Sequence, residues 1–163
     1  MQSTNTLTPV SPVRRVSPGR LRELAANIAA RPAGWTDLVR FDPCRRWYQR
    51  LACEVDFEIW LLSWLPGQHT GFHDHGQSAG AFAVADGVLR ERVAPGRRPE
   101  TDGTVLTRGA VRSFGPHYVH EVANTSQRPA VSVHAYSPPL RGMRQYEVGA
   151  SGLLSSREQE RSW

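Results

Sequence analysis

From about Arg45 to Glu147 the apolar residues recur at every second position, in runs that turn residues cut short before any reaches helical length. Segments 46–53, 57–65, 70–75, 80–85, 88–94, 103–107, 111–114, 117–123, 130–136 and 143–147 read as strands. Between them lie Pro66-Gly67, Asp86-Gly87, Pro95-Gly96, Asp102-Gly103, Gly115-Pro116 and Pro138-Pro139. Many short strands, each with one face to bury, leave a sandwich or a barrel as the economical solution. The expected class is therefore all-β, a sandwich or a barrel with a short helical segment ahead of it. Ser17-Pro18 opens that helix, with a capping hydroxyl before a proline at the first helical position. Leu21, Leu24, Ala25 and Ile28 then recur at helical spacing until Pro32 stops it, and a second short piece spans Trp35 to Val39. The Ser/Thr/Pro-rich residues 1–16 read as a disordered tail, 17–148 as a single domain, and 149–163 as a flexible C-terminal tail.

Charge excludes more than it suggests. The chain has 20 basic residues, every one an arginine, and a formal net charge of +5. Without lysine there is neither Schiff-base chemistry nor a P-loop lysine. The arginines are scattered rather than gathered on one face with interleaved aromatics, so no nucleic-acid partner is expected. Cys44 and Cys53 make no disulfide framework and no CxxC motif. The first residues carry no apolar signal core and no run approaches membrane-spanning length, so a cytoplasmic, monomeric protein with reduced thiols is expected.

The segment "PGQHTGFHDHGQSAGAFAVADG", Pro66 to Gly87, concentrates His69, His73 and His75. Strand side chains alternate, so His73 and His75 share a face about 6.6 Å apart, close enough for both rings to tilt onto one ion. His69 has the same parity but lies about 13 Å from His73 in an extended chain, which leaves it a turn or surface residue. Asp74 points to the opposite face and cannot join its neighbours. Further along, "SVHAY" puts Ser132, His134 and Tyr136 on one strand face. Such a row reads as a hydrogen-bonded chain that aims groups at a metal, or as a satisfied core histidine with its neighbours.

Two spaced patterns strengthen the metal reading. Gly67, His73-x-His75, Gly80 and Gly87 have the spacing of the first cupin motif, and Gly109, Gly115, His120 and Asn124 that of the second. The motif position makes His120 the third ligand, in preference to His134. One departure stands out, because the usual cupin carries a carboxylate where this chain has Gly80. Three neutral ligands leave the ion its full charge and favour a substrate that brings its own anion.

At "WYQRL", "LLSWLPGQHTGFHDHG", "HYVHEVANTSQRPAVSVHAYSPPL" and the following Met-Arg-x-Tyr, the chain resembles the bacterial form of the cysteine dioxygenases, within the thiol dioxygenase branch of the cupins. The resemblance runs from about Arg45 to Tyr146. It implies an all-β, cupin-type jelly-roll β-barrel, mononuclear Fe(II) held by His73, His75 and His120, and oxidation of free L-cysteine by O2 to the sulfinic acid. A thiolate suits iron, and its charge replaces the absent protein carboxylate. The resemblance also implies Tyr136 and His134 as catalytic residues, with Ser132 behind them. Tyr48 and Arg50 would bind substrate, the Arg50 fork holding its carboxylate. The related 3-mercaptopropionate dioxygenases carry glutamine at the arginine position, and Gln49 is adjacent, so another small thiol is the alternative substrate. A non-catalytic, metal-binding cupin is a third possibility, since fold alone fixes no activity. Animal relatives have a cysteine at the position of Gly80 that links to the tyrosine matching Tyr136. Glycine forbids that thioether here. The family's tight turn, with room for a cis bond, falls at Ser137-Pro138-Pro139.

Overall fold

Alternation along the strand Ala130–Ser137 divides the molecule into two cores. Val131, Val133 and Ala135 belong to one buried cluster, while Ser132, His134 and Tyr136 face the other side. In the computed structural model, which describes residues 15–152 and 154–160, the described residues form one α-helix and eleven strands. The helix α1 is Pro18–Ala29, capped as expected by Ser17, whose hydroxyl accepts from the Arg20 amide. The strands are β1 Tyr48–Cys53, β2 Glu58–Trp64, β3 Phe72–Asp74, β4 Ala79–Asp86, β5 Val88–Val93, β6 Thr104–Thr107, β7 Val111–Phe114, β8 His120–Ala123, β9 Ala130–Ser137, β10 Gly142–Val148 and β11 Leu154–Glu160. The first ten coincide with the ten segments expected from sequence, to within a few residues at their ends. The second helical piece survives only as a short 3-10 turn at Thr36–Leu38.

Two antiparallel sheets make the barrel. One has the order β1-β2-β9-β4-β7, the other β11-β10-β3-β8-β5-β6. The outer face of the first sheet is covered by α1, whose Leu21, Ala25 and Ala29 lie against Ala81, Ala83 and Ala85 of β4 and Val131, Val133 and Ala135 of β9. Alternating alanines on β4 let the helix come close, and full burial of Leu21 there contributes roughly 1.5–3 kcal/mol. The inner face of the same sheet carries Trp60 and Trp64 of β2, Phe82 and Val84 of β4 and Tyr136 of β9, which fill the space between the sheets.

The C-terminal expectation needs correction. Residues 154–160 pair along the whole of β10, from Gly142↔Glu160 to Val148↔Leu154, as an edge strand. Leu154 is buried with Phe72, Ala94 and Tyr146. The polar sequence there is that of an edge strand, which needs few apolar side chains. Of the expected N-terminal tail, residues 1–14 lie outside the described residues, whereas the Val16 amide donates to Ser137 Oγ. Cys44 and Cys53 are free and exposed. No described helix is long and apolar enough to cross a membrane.

Candidate metal centre

Backbone register delivers the histidines. His73 on β3 is paired directly with His120 on β8, and His75 follows two residues later on the same face. Ligand nitrogens of the three rings lie within 4.8 Å of one another, and all three residues are buried. His69 is apart from them, its side chain more than half exposed and its Nδ1 3.5 Å from Glu121. Asp74 faces away, accepting from the Gly76 amide (2.7 Å) and from the Tyr146 hydroxyl (2.5 Å). These placements agree with the period-two argument.

The unpartnered nitrogens show what the cluster is built for. His73 Nδ1 donates to the Gly71 carbonyl (3.0 Å) and His120 Nδ1 to Glu91 Oε1 (2.7 Å), which turns both Nε2 lone pairs inward. His120 Nε2 and both ring nitrogens of His75 are buried with no hydrogen-bond partner. Burial, reinforced by the neighbouring imidazoles, holds His73 and His75 well below the ordinary 6.5, in the neutral form a metal requires. Buried polar atoms without partners are costly, and one shared cation would satisfy His120 Nε2 together with one of the two His75 nitrogens. The residues present therefore fit a transition-metal ion with imidazole ligands.

No carboxylate joins the described cluster. Gly80 stands where the usual ligand would be, and the space beside it is taken. A Cβ there would lie 2.5 Å from Phe114 Cε2 and 3.0 Å from Tyr136 Cδ1. Phe114 in turn stacks on His75, ring centroids 5.2 Å apart, and so braces that imidazole.

The row on β9 is a hydrogen-bonded relay with a direction. Trp64 Nε1 donates to Ser132 Oγ (2.9 Å), Ser132 Oγ is 2.8 Å from His134 Nε2, and His134 Nδ1 is 3.1 Å from Tyr136 Oη. Indole can only donate. The fully buried Ser132 hydroxyl has His134 Nε2 as its acceptor, so the imidazole carries its proton on Nδ1 and gives it to the phenol oxygen. Burial first, then Arg46 and His120, hold His134 neutral, and burial pushes the Tyr136 phenol up, so it keeps its own proton. That proton is left to point into the cavity. Trp64 was not singled out by sequence reading, because its contact with Ser132 spans 68 residues.

The cavity beside the histidines is lined by Tyr48, His73, His120, His134 and Tyr136, and its one charged lining side chain is Arg46. Arg46 stands over the Trp64 ring (4.9 Å) with Nη1 on the His69 carbonyl (3.0 Å), while its Nε has no partner. Arg50, the arginine expected from sequence, is not among the lining residues. Its guanidinium lies over Trp60 (5.5 Å) and 4.0 Å from the buried Glu58, and its side chain is about half exposed. Gln49 does not line the cavity either. Arg46, Tyr48 and Arg50 share strand parity, so the face was legible in sequence but the depth along it was not. Glu91 and Phe114 were likewise missed, for both meet the histidines only through strand pairing.

Comparison with known proteins now has a site to refer to. The chain is 26% identical over 140 residues to cysteine dioxygenase type 1 of Danio rerio, covering 78% of this chain and 68% of the relative. It is 29% identical over 124 residues to cysteine dioxygenase type 1 of Rattus norvegicus, covering 67% of this chain but only 59% of that protein. Among solved structures, a Klebsiella pneumoniae protein with a double-stranded β-helix domain superposes with a TM-score of 0.58 at 20% identity, over 66% of this chain and 90% of the other. A cupin superfamily protein from Desulfitobacterium hafniense gives 0.54 at 14% identity, over 66% and 90%. These likenesses establish the cupin fold. Because the family model for cysteine dioxygenase type I matches residues 13–148, a span that contains all three histidines and the whole β9 relay, the chain belongs to that family.

Proposed function

We propose that this chain is an Fe(II)-dependent thiol dioxygenase that converts L-cysteine and O2 to cysteine sulfinic acid. The observation that carries the reading is a buried cluster of three imidazoles without a carboxylate, beside a cavity lined by two of them, by a phenol that keeps its proton and by a partly buried arginine. Iron bound by His73, His75 and His120 would bring thiolate and oxygen together and supply the redox chemistry that neither shows alone.

The chain's own residues then have separate tasks. Arg46, rather than Arg50, binds the substrate carboxylate, since its free Nε–H is the donor available inside the cavity. Tyr48 packs edge-on against Trp60 (5.9 Å) and shapes the wall beside it. Tyr136 stands with its ring 4.8 Å from that of His75 and offers its hydroxyl proton to oxygen as sulfur is oxidised. His134 and Ser132 keep that hydroxyl pointed inward. The overall change adds both oxygen atoms to sulfur and releases none. Free, exposed Cys44 and Cys53 suit a reducing, cytoplasmic setting, and we take the working unit to be the monomer.

A second substrate has one specific observation in its favour. The lining contains no Asp or Glu to receive a substrate ammonium, and 3-mercaptopropionate has the thiol and carboxylate without the amine. Oxygen uptake by iron-loaded protein, measured side by side on cysteine and 3-mercaptopropionate, separates the two. Arg46→Ala should raise KM for the preferred thiol by roughly 10–100-fold with little change in kcat, the loss of charge-assisted hydrogen bonds. An Arg50→Ala variant that raises KM instead would return the role to Arg50. No uptake with either thiol would reject the dioxygenase reading.

A further inference from the structure

The three candidate ligands differ in what holds their second nitrogen. His73 rests on a neutral backbone carbonyl, and His75 on nothing. His120 alone rests on a carboxylate, Glu91 Oε1 at 2.7 Å, with both side chains about 2% exposed. Glu91 lies on β5 opposite Val122, two residues along from the Val93↔His120 pair and on the same face, so the pairing of β5 with β8 sets the contact. A carboxylate so deeply buried is costly, and removing its partners would cost more still. Here it is retained with compensation on every side. Arg112 Nε is 3.1 Å from Oε2, and the Tyr118 hydroxyl is 3.5 Å from Oε1.

We infer that Glu91 is a positioning residue for the metal, supplying through His120 the negative charge that the ligand set itself lacks. A carboxylate only accepts, so His120 must carry its proton on Nδ1 and present Nε2 to the ion. Hydrogen bonding to an anion also raises the basicity of the ligating nitrogen. Loss of the carboxylate at Gly80 is thereby offset one bond further out. Arg112 sets how much of that charge reaches the imidazole. The inference rests on a metal being bound at the three histidines.

Glu91→Gln keeps the size and the acceptor oxygen but removes the charge. Metal-free protein titrated with Co(II) against a chromophoric chelator should bind roughly 10–100-fold more weakly in the variant, with the β-sheet circular dichroism unchanged. The Fe(III)/Fe(II) midpoint potential should rise, because the lost charge favoured Fe(III) more. A tenfold preferential loss of Fe(III) corresponds to about 59 mV for one electron. If Glu91→Gln does not fold, Arg112→Gln decides the matter, since an uncompensated Glu91 should lower the potential. Wild-type Co(II) affinity and potential in Glu91→Gln would overturn the inference, as would an unmoved potential in Arg112→Gln. Wild-type protein that takes up no Co(II) would instead remove the metal site, and the inference with it.

Discussion

Gly80 is the residue on which the chemistry of the site turns. With no side chain it offers neither a carboxylate to the histidine cluster nor a thiol to Tyr136, and Phe114 occupies the room. Adding even a methyl group should destabilise the protein, because Phe114 is closed in by His75 and Tyr118 and has little freedom to retreat. Gly80→Ala is expected to cost about 1–3 kcal/mol in urea unfolding, and the Gly80→Ala/Phe114→Leu pair less than the sum of its single variants. A fully additive pair would show that Phe114 is not what fills the space. Tyr136 should correspondingly remain uncrosslinked, and a two-hydrogen mass deficit on a Tyr136 peptide from active protein would contradict that. Sequence alone marked Gly80 as a departure, since it occupies the motif position where the usual cupin carries a carboxylate. That an aromatic ring from β7 answers it was not legible, because the pairing Gly80↔Phe114 joins residues far apart in the chain.

At the scale of elements, β3 and β9 each carry their chemistry on one face, and that face is dry. His73 on β3, His75 just past its end and His134 on β9 are all held below their ordinary 6.5, chiefly by burial. In the unfolded chain these rings titrate normally. As pH falls below about 6.5, the unfolded state takes up protons that the folded state refuses, so stability declines toward acid. Each ring contributes a slope of up to about 1.4 kcal/mol per pH unit until its own folded value is reached. Metal-free protein should therefore show a clearly lower urea midpoint at about pH 5.5 than at about pH 7.5, and bound metal should steepen the loss by competing with protons. A midpoint unchanged over that interval would mean the rings are wetter than their burial indicates. The β9 relay was foreseen as a row of three, from period two. Its direction was not, because that depends on the indole of Trp64 arriving from β2.

Across the whole molecule, the two sheets close around the site and β11 protects the open edge of one of them. Leu154 is the apolar anchor of that edge, buried with Phe72 and Tyr146, and Phe72 immediately precedes His73 of the histidine cluster. Leu154→Ala should lower stability by about 2–4 kcal/mol, as large-to-small changes in a core do. Thermal melting of the metal-free variant measures it, and an unaltered Tm would mean that the strand adds nothing to the barrel. What the sequence determined by itself was everything governed by local period and spacing. This covers the ten strands of the body, the helix cap at Ser17, the shared face of His73 and His75, and the exclusion of His69 and Asp74. What only tertiary structure decided was which side chains from distant strands meet: Arg46 rather than Arg50 in the cavity, Glu91 behind His120, Phe114 against Gly80, and an ordered β11 where composition suggested a tail. The reason is physical. Alternation along a strand says which way a side chain faces, but strand register says what it faces, and register is fixed by the packing of the whole barrel.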